Sequence, residues 1–405
     1  MFNNPNFINP SNFFAAPPPS KTTQARTRRP AVKFDETRAL SEMCADLTEN
    51  QKGEAFLAIH AAFQDAEDLR MIAKFVTTLA KGSGQLFKVG TEKLNGKKTI
   101  RPTKEGAYFL NLIKCDVERM FRSFPQHVFD PHFQLFADEV RKRKLKEYIQ
   151  NLWALQLEEF VRLADSLNGC VESIRAKANS AAFKAEMRKF RKSPTKNKRE
   201  LQHYLRVLLS NHEQLQVLQL DLGYRRELRD GRSVHPDLTL EDVKRHWSKL
   251  LSALDKQLPA GAKVGFARKI EFAPHAFYHI RALFFCDASI VIDDFAMATQ
   301  VGKCWQSEEV TGKHGLFLAR NKQQASEQPT GFGLISLENI DACRHLELLA
   351  QSLTATDFFI RVKGAGDRNL FTKGNMPKPN KKRKAHTNAG SETKSEVTEV
   401  SVPST

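Results

Sequence analysis

The stretch Phe277-Tyr278-His279-Ile280-Arg281-Ala282-Leu283-Phe284-Phe285 decides the fold. It is rich in aromatic and branched residues and reads as a β-strand. Strand side chains alternate faces with period two. His279 and Arg281 therefore share a face with Leu283 and Phe285. A second strand is read at 215–224 (LQVLQLDLGY), where Gln219 and Asp221 lie opposite Leu218, Leu220 and Leu222.

Around these two strands the pattern alternates. A helix is expected over 240–258, with Thr239 as N-cap and Glu241 and Asp242 in its first turn. Strands are expected at 263–272 and 277–285, joined by a turn at Pro274, then a helix over 291–305 and a strand at 316–320. A strand at 331–335, a helix over 338–353 and a strand at 358–362 follow. The first six elements run β-α-β-β-α-β, the order of a split βαβ, ferredoxin-like antiparallel sheet. That order sets the first and third strands side by side at the sheet centre, so Asp221 and His279 can meet. A polar cluster there has two readings: it holds a divalent metal or a phosphate, or it is a satisfied structural hydrogen-bond network.

Upstream, residues 36–210 read almost wholly as helix. Phe56, Ile59, Phe63, Ile72, Phe75 and Leu79 recur at helical spacing until Gly82-Ser83-Gly84. A basic turn (LNGKKTIRPTKEG) separates this from a helix over 108–121. A long helical run over 132–192 is expected to break near Gly169, and another helix to follow Pro194. The expected class is α+β: a disordered tail at 1–34, a helical region at 35–210, an α+β domain at 211–372 and a basic disordered tail at 373–405 carrying the Lys381–Lys384 run. Phe2, Phe7, Phe13 and Phe14 mark the first tail as a candidate anchor for a partner.

The 405 residues carry 63 Lys and Arg against 46 Asp and Glu. That excess favours a polyanionic partner. It is densest at 184–199 (KAEMRKFRKSPTKNKR), with eight basic residues and one acid. Lys184, Arg188, Arg191 and Lys192 fall at helical spacings, and Lys189, Lys196, Lys198 and Arg199 complete the set expected to track a phosphate backbone. Phe183 and Phe190 lie nearby. A weaker run, Arg141-Lys142-Arg143-Lys144-Lys146, is flanked by Glu139 and Glu147. The six Cys have no metal-ligand or disulfide spacing and read as free thiols. His275, His314 and His345 read as structural or surface residues. A cytoplasmic protein is expected, since no leader pattern opens the chain and no stretch approaches the roughly 18 apolar residues of a membrane span. No P-loop, GxGxxG, HExxH or GxSxG pattern is present.

From about 213 to 375 the chain resembles the YagK/YfjJ C-terminal domain family, which overlaps the inovirus replication-protein-like family of phages, prophages and plasmids. The residues that carry the likeness are VLQLDLGY at 217–224, YHIRALFFCDAS at 278–289, QVGKCW at 300–305, GFGLIS at 331–336, LTATDFFIRVK at 353–363 and NLFTKG at 369–374. That family is similar to rolling-circle initiators of the HUH type. In those, a His-hydrophobic-His strand holds a divalent metal that polarises the scissile phosphate, and a helix-borne Tyr attacks it. The resemblance implies that His279 stands at the first His. Arg281 takes the place of the second, Ser352 that of the Tyr, and Ala355 that of a Lys. A guanidinium stays protonated and cannot ligate a metal, though it can hold a phosphate. No Tyr lies between 279 and 405, which excludes a Tyr-dependent nick from that helix.

The first reading is thus a DNA-binding, replication-initiator-like protein of a mobile element, with nicking weakened or lost and single-stranded or hairpin DNA as its partner. A second is a nicking endonuclease with Mg or Mn at His279, and with His279 and Asp221 as the catalytic pair. A third is a non-enzymatic factor whose helical half binds another protein.

Overall fold

The computed structural model describes residues 34–91, 98–150, 157–229, 232–234, 238–273, 277–323, 332–363 and 370–378. The first 33 residues, the Pro274 turn and the Lys381–Lys384 run lie outside them.

The main sheet is antiparallel throughout. Its order is Gly315–Ala319, Gln214–Tyr224, Phe277–Asp287, Lys263–Ala273, Phe371–Lys373, and Gly333–Ser336 also pairs with the first half of the 214–224 strand. The first and third strands of this region are therefore neighbours. Their register sets Arg281 opposite Asp221, and on the other side His279 opposite Glu271.

One sheet face is apolar along its length. Leu218, Leu220, Leu222, Ile280, Ala282 and Phe284 pack beneath the helices Leu240–Gln257 and Asp294–Trp305. Thr239 caps the first of these in a reciprocal capping box with Asp242. Trp305 closes that core and donates from its indole to the Gly223 carbonyl at 2.8 Å.

The opposite face is divided. At one end Val217, Ala267, Leu283 and Phe285 pack with Leu201, Tyr204, Leu205 and Leu208 of the helix Ala181–Asn211, and with Leu346, Ala350 and Leu353 of Ile340–Ala355. The 181–211 helix so reaches under the sheet across the expected boundary at 210. At the other end the same face turns polar, with Asp221, Lys269, Glu271, His279 and Arg281 all buried. Residues 371–378 are seated too: Gly374 donates to the Phe266 carbonyl and Asn211 to that of Lys378.

The N-terminal half corrects the almost wholly helical expectation. It holds the helices Glu36–Met43, Ala62–Leu79, Lys104–Lys114, Val117–Ser123, Pro131–Lys142, Leu145–Gln150 and Leu157–Asn179. Short strands interrupt them: Ala45–Glu49 with Ala55–Ile59, Phe87–Thr91 with Lys98–Pro102, and His127–Phe129 with Ile360–Val362. Phe56 and Ile59 belong to a hairpin strand, not to the helix that follows. The turn between the first two strands is built by Asn50, whose side chain accepts from the Lys52 and Glu54 amides, and by Gly53 at φ +75°.

Two helix boundaries also differ. The 157–179 helix runs through Gly169, and the break falls at Ser180, whose hydroxyl caps Phe183. Pro194 lies inside the 181–211 helix and starts no new one. A proline deprives the carbonyl four residues earlier of its donor. Here that carbonyl belongs to Phe190, and Arg361 donates to it at 3.2 Å while stacking its guanidinium 4.7 Å from the Phe190 ring. Among the described residues no helix is long and apolar enough to cross a membrane.

Candidate functional site

The polar end of the sheet gathers its charges from six segments. Arg281 is 1% exposed. Its Nη2 donates to Glu42 Oε2 at 2.6 Å and to Ser352 Oγ at 3.1 Å, and its Nη1 lies 3.6 Å from Glu271 Oε2. Glu42 comes from the helix Glu36–Met43, and its other oxygen is 3.6 Å from Arg320 Nη1. Arg320 donates from Nε to Asp221 Oδ2 at 2.6 Å. His279 Nε2 sits 3.3 Å from Glu271 Oε2, Thr356 donates to Glu271 Oε1 at 3.4 Å, and Lys269 pairs with Asp357.

These contacts correct two expectations. Asp221 and His279 do not meet, because the register puts Arg281 across from Asp221 and leaves His279 with Glu271. Arg281 presents no phosphate-holding surface, being buried between two carboxylates. Nor does the donor set suit a divalent cation at His279. Glu271, the carboxylate facing that ring, is already encircled by Arg281 and Lys269, and Asp221 is held by Arg320. A metal there would face permanently charged guanidinium groups. Among the described residues no group of three or more His, Cys, Asp or Glu is placed to hold a metal ion.

Burial alone would raise the Glu271 carboxyl, but Arg281, His279 and Lys269 outweigh it and bring it down to about 2. Burial would likewise lower Arg281, and Glu271, Glu42 and Asp221 instead hold it above the ordinary guanidinium range. Because the folded value of Glu271 lies below its ordinary 4.5, its stabilisation is whole above about pH 4.5 and is lost as the pH falls towards 2. Glu271→Gln is expected to flatten the urea-midpoint profile across that interval. An unchanged acid slope in the variant would assign the loss to other carboxylates.

The second candidate is the exposed face of the 181–211 helix. Lys184, Arg188, Lys189, Arg191, Lys192, Lys196 and Arg199 are exposed, and Lys198 is half-buried. Two acids share the helix with this set: Glu186, which is exposed, and Glu200, 3.8 Å from Lys196. Met187, Arg188, Arg191, Lys192, Thr195, Lys196 and Arg199 line an open groove of about 620 Å³. Phe183 and Phe190 are not free for base stacking: both are buried, one against the His132 ring and the other beneath Arg361. The weaker basic run differs in kind. Arg141 is tied to Glu118 and Asp138, Arg143 to Glu139, and Lys146 to Asp116.

Sequence reasoning missed Glu42, Glu271 and Arg320. Glu42 meets Arg281 across 239 residues, a separation that no local pattern encodes. Glu271 left a trace: Lys269 and Glu271 share the inward face of a strand, an alternation that signals buried charge pairs. No family model, no curated protein and no solved structure matches this chain.

Proposed function

We propose that this chain is a DNA-binding protein of replication-initiator type that holds the phosphodiester backbone on the Lys184–Arg199 face and does not cut it. The observation that carries the reading is that face itself: a helix stretch with eight cations against two acids, Glu186 and Glu200, and an open groove. Cations left unpaired by their own protein release counterions from a polyanion on contact, which is the main source of sequence-independent affinity. The absence of exposed aromatic rings among the groove's lining residues favours backbone contact over base readout.

The initiator-type element of the reading is supported by two further observations. The order of four of the six strands, fourth-first-third-second, supports a split βαβ reading of the sheet. The positions that the resemblance assigns to the metal-binding strand and the nucleophile, Arg281 and Ser352, are in hydrogen-bond contact. In place of a metal and a phenol they carry an ion-pair network, which is the ground for proposing a non-cutting protein.

Fluorescence anisotropy of the full chain with labelled single-stranded and hairpin DNA, titrated against salt, tests the proposal. The expected result is binding at low salt that weakens with a slope of about −3 to −5 in log K against log salt, from roughly 0.7 per single-strand phosphate contact. Absence of binding at 50 mM salt would sink it.

A further inference from the structure

The part of the 181–211 helix that carries the cations stands proud of the protein. From 181 to 200 its buried positions are Phe183, Met187, Phe190 and Pro194. At about 100° per residue these fall within an arc of about 60°. The same seam continues past Pro194 to Leu201, Leu205 and Leu208, so the proline does not shift the phase of the helix. The exposed positions sweep about 220° of the remaining circumference.

The cations divide along that sweep. Arg191 and Lys198 lie on one flank, beside the buried seam. Lys189 and Lys196 lie on the other, about 160° away around the axis. Between the flanks run Lys184, Arg188, Lys192, Thr195 and Arg199. Glu186 and Glu200 both fall outside this arc, between the second flank and the seam. Ala181 and Ala185 are exposed within the arc and keep the helix slim near its start.

A single strand brings one row of phosphates and crosses such an arc once. A duplex brings two rows, bordering a major groove about 12 Å wide and about 8.5 Å deep. An α-helix with its side chains is about 10–12 Å across. Here one is exposed over most of its circumference for about five turns.

We propose that residues 181–200 enter the major groove of duplex DNA, each cationic flank holding the phosphates of one strand. The inference rests on the DNA-binding reading above and names the form of DNA that this face takes. The middle row then points at the groove floor, where every base pair offers acceptor atoms. Backbone contact so remains the main source of affinity.

The test is fluorescence anisotropy of the full chain with a labelled duplex of about two helical turns, and with each of its strands alone. The duplex is expected to bind at least tenfold more tightly than either strand at about 0.15 M salt. Methyl green, which occupies the major groove, is expected to compete, and netropsin, which occupies the minor groove, is not. Arg191→Ala with Lys198→Ala, and separately Lys189→Ala with Lys196→Ala, should each flatten the duplex salt slope by about 2, at roughly 0.9 per lost phosphate contact. An unaltered slope in either flank variant, or competition by netropsin and not by methyl green, overturns groove insertion.

The two failures read differently. Equal affinity for duplex and single strand, lost from both on the same substitutions, overturns the groove and leaves the helix as a phosphate site. If neither DNA binds, or if removing both flanks leaves duplex affinity unchanged, the DNA-binding reading of the helix falls and the groove with it.

Discussion

Arg281→Ala is expected to lower the unfolding free energy by about 3–5 kcal/mol, the cost of removing one partner from a buried ion pair. The side chain is 1% exposed and serves Glu42, Ser352 and Glu271 together. Its loss strands Glu271, which is fully buried, with only His279 and Lys269 to offset the charge. Arg281→Lys should recover little, because an ammonium on a flexible stem cannot span two carboxylates as the planar fork does. Arg281→Met combined with Glu42→Gln and Glu271→Gln is expected to recover most of the loss, since neutral groups of similar volume carry no unpaired buried charge. The three effects will be far from additive, as residues in one network couple. Urea midpoints followed by circular dichroism measure all of this. If Arg281→Ala unfolds like the wild type while losing DNA affinity, Arg281 is a resting ligand contact and the network is not its purpose.

The stability argument shows what sequence can and cannot deliver. The alternation of 277–285 placed His279, Arg281, Leu283 and Phe285 on one face, and the structure has them there, apolar at one end and charged at the other. Of the two explanations open for that polar cluster, the contacts favour the structural network. Which acid met which base was not legible, because register is a property of the folded sheet. One residue of offset decides whether Asp221 faces His279 or Arg281, and Glu42 arrives from a helix remote in the chain. Proline misled for a related reason. Pro194 ends a helix by local rules, yet Arg361, from a strand far downstream, satisfies the Phe190 carbonyl and lets the helix continue. The basic stretch at 184–199 was read correctly as a helical face of cations, since helical spacing and composition are local. That Lys196 is held by Glu200 while Arg141, Arg143 and Lys146 are each engaged by acids from other turns or elements is again a tertiary fact.

Neutralising the helix should therefore separate binding from folding. Arg188→Ala, Arg191→Ala, Lys192→Ala and Lys196→Ala together are expected to flatten the salt slope for single-stranded DNA by about 3, at roughly 0.7 for each lost phosphate contact. Because that electrostatic part fades towards 1 M salt, three units of slope amount to about a thousandfold weaker binding at 0.1 M. Stability should move by no more than about 0.5 kcal/mol, since all four side chains are exposed and one has a distant acid partner. The control is Arg141→Ala with Lys146→Ala, which removes cations already engaged with Glu118, Asp138 and Asp116 and should leave the slope unaltered. The contrast matters because both variants lose net charge, four units in the first and two in the control. If affinity follows net charge alone, the two variants weaken binding in proportion to the charges removed. If it follows the arrangement on the 181–211 helix, only the first does, and equal losses per charge in both would dismiss the helix as the site.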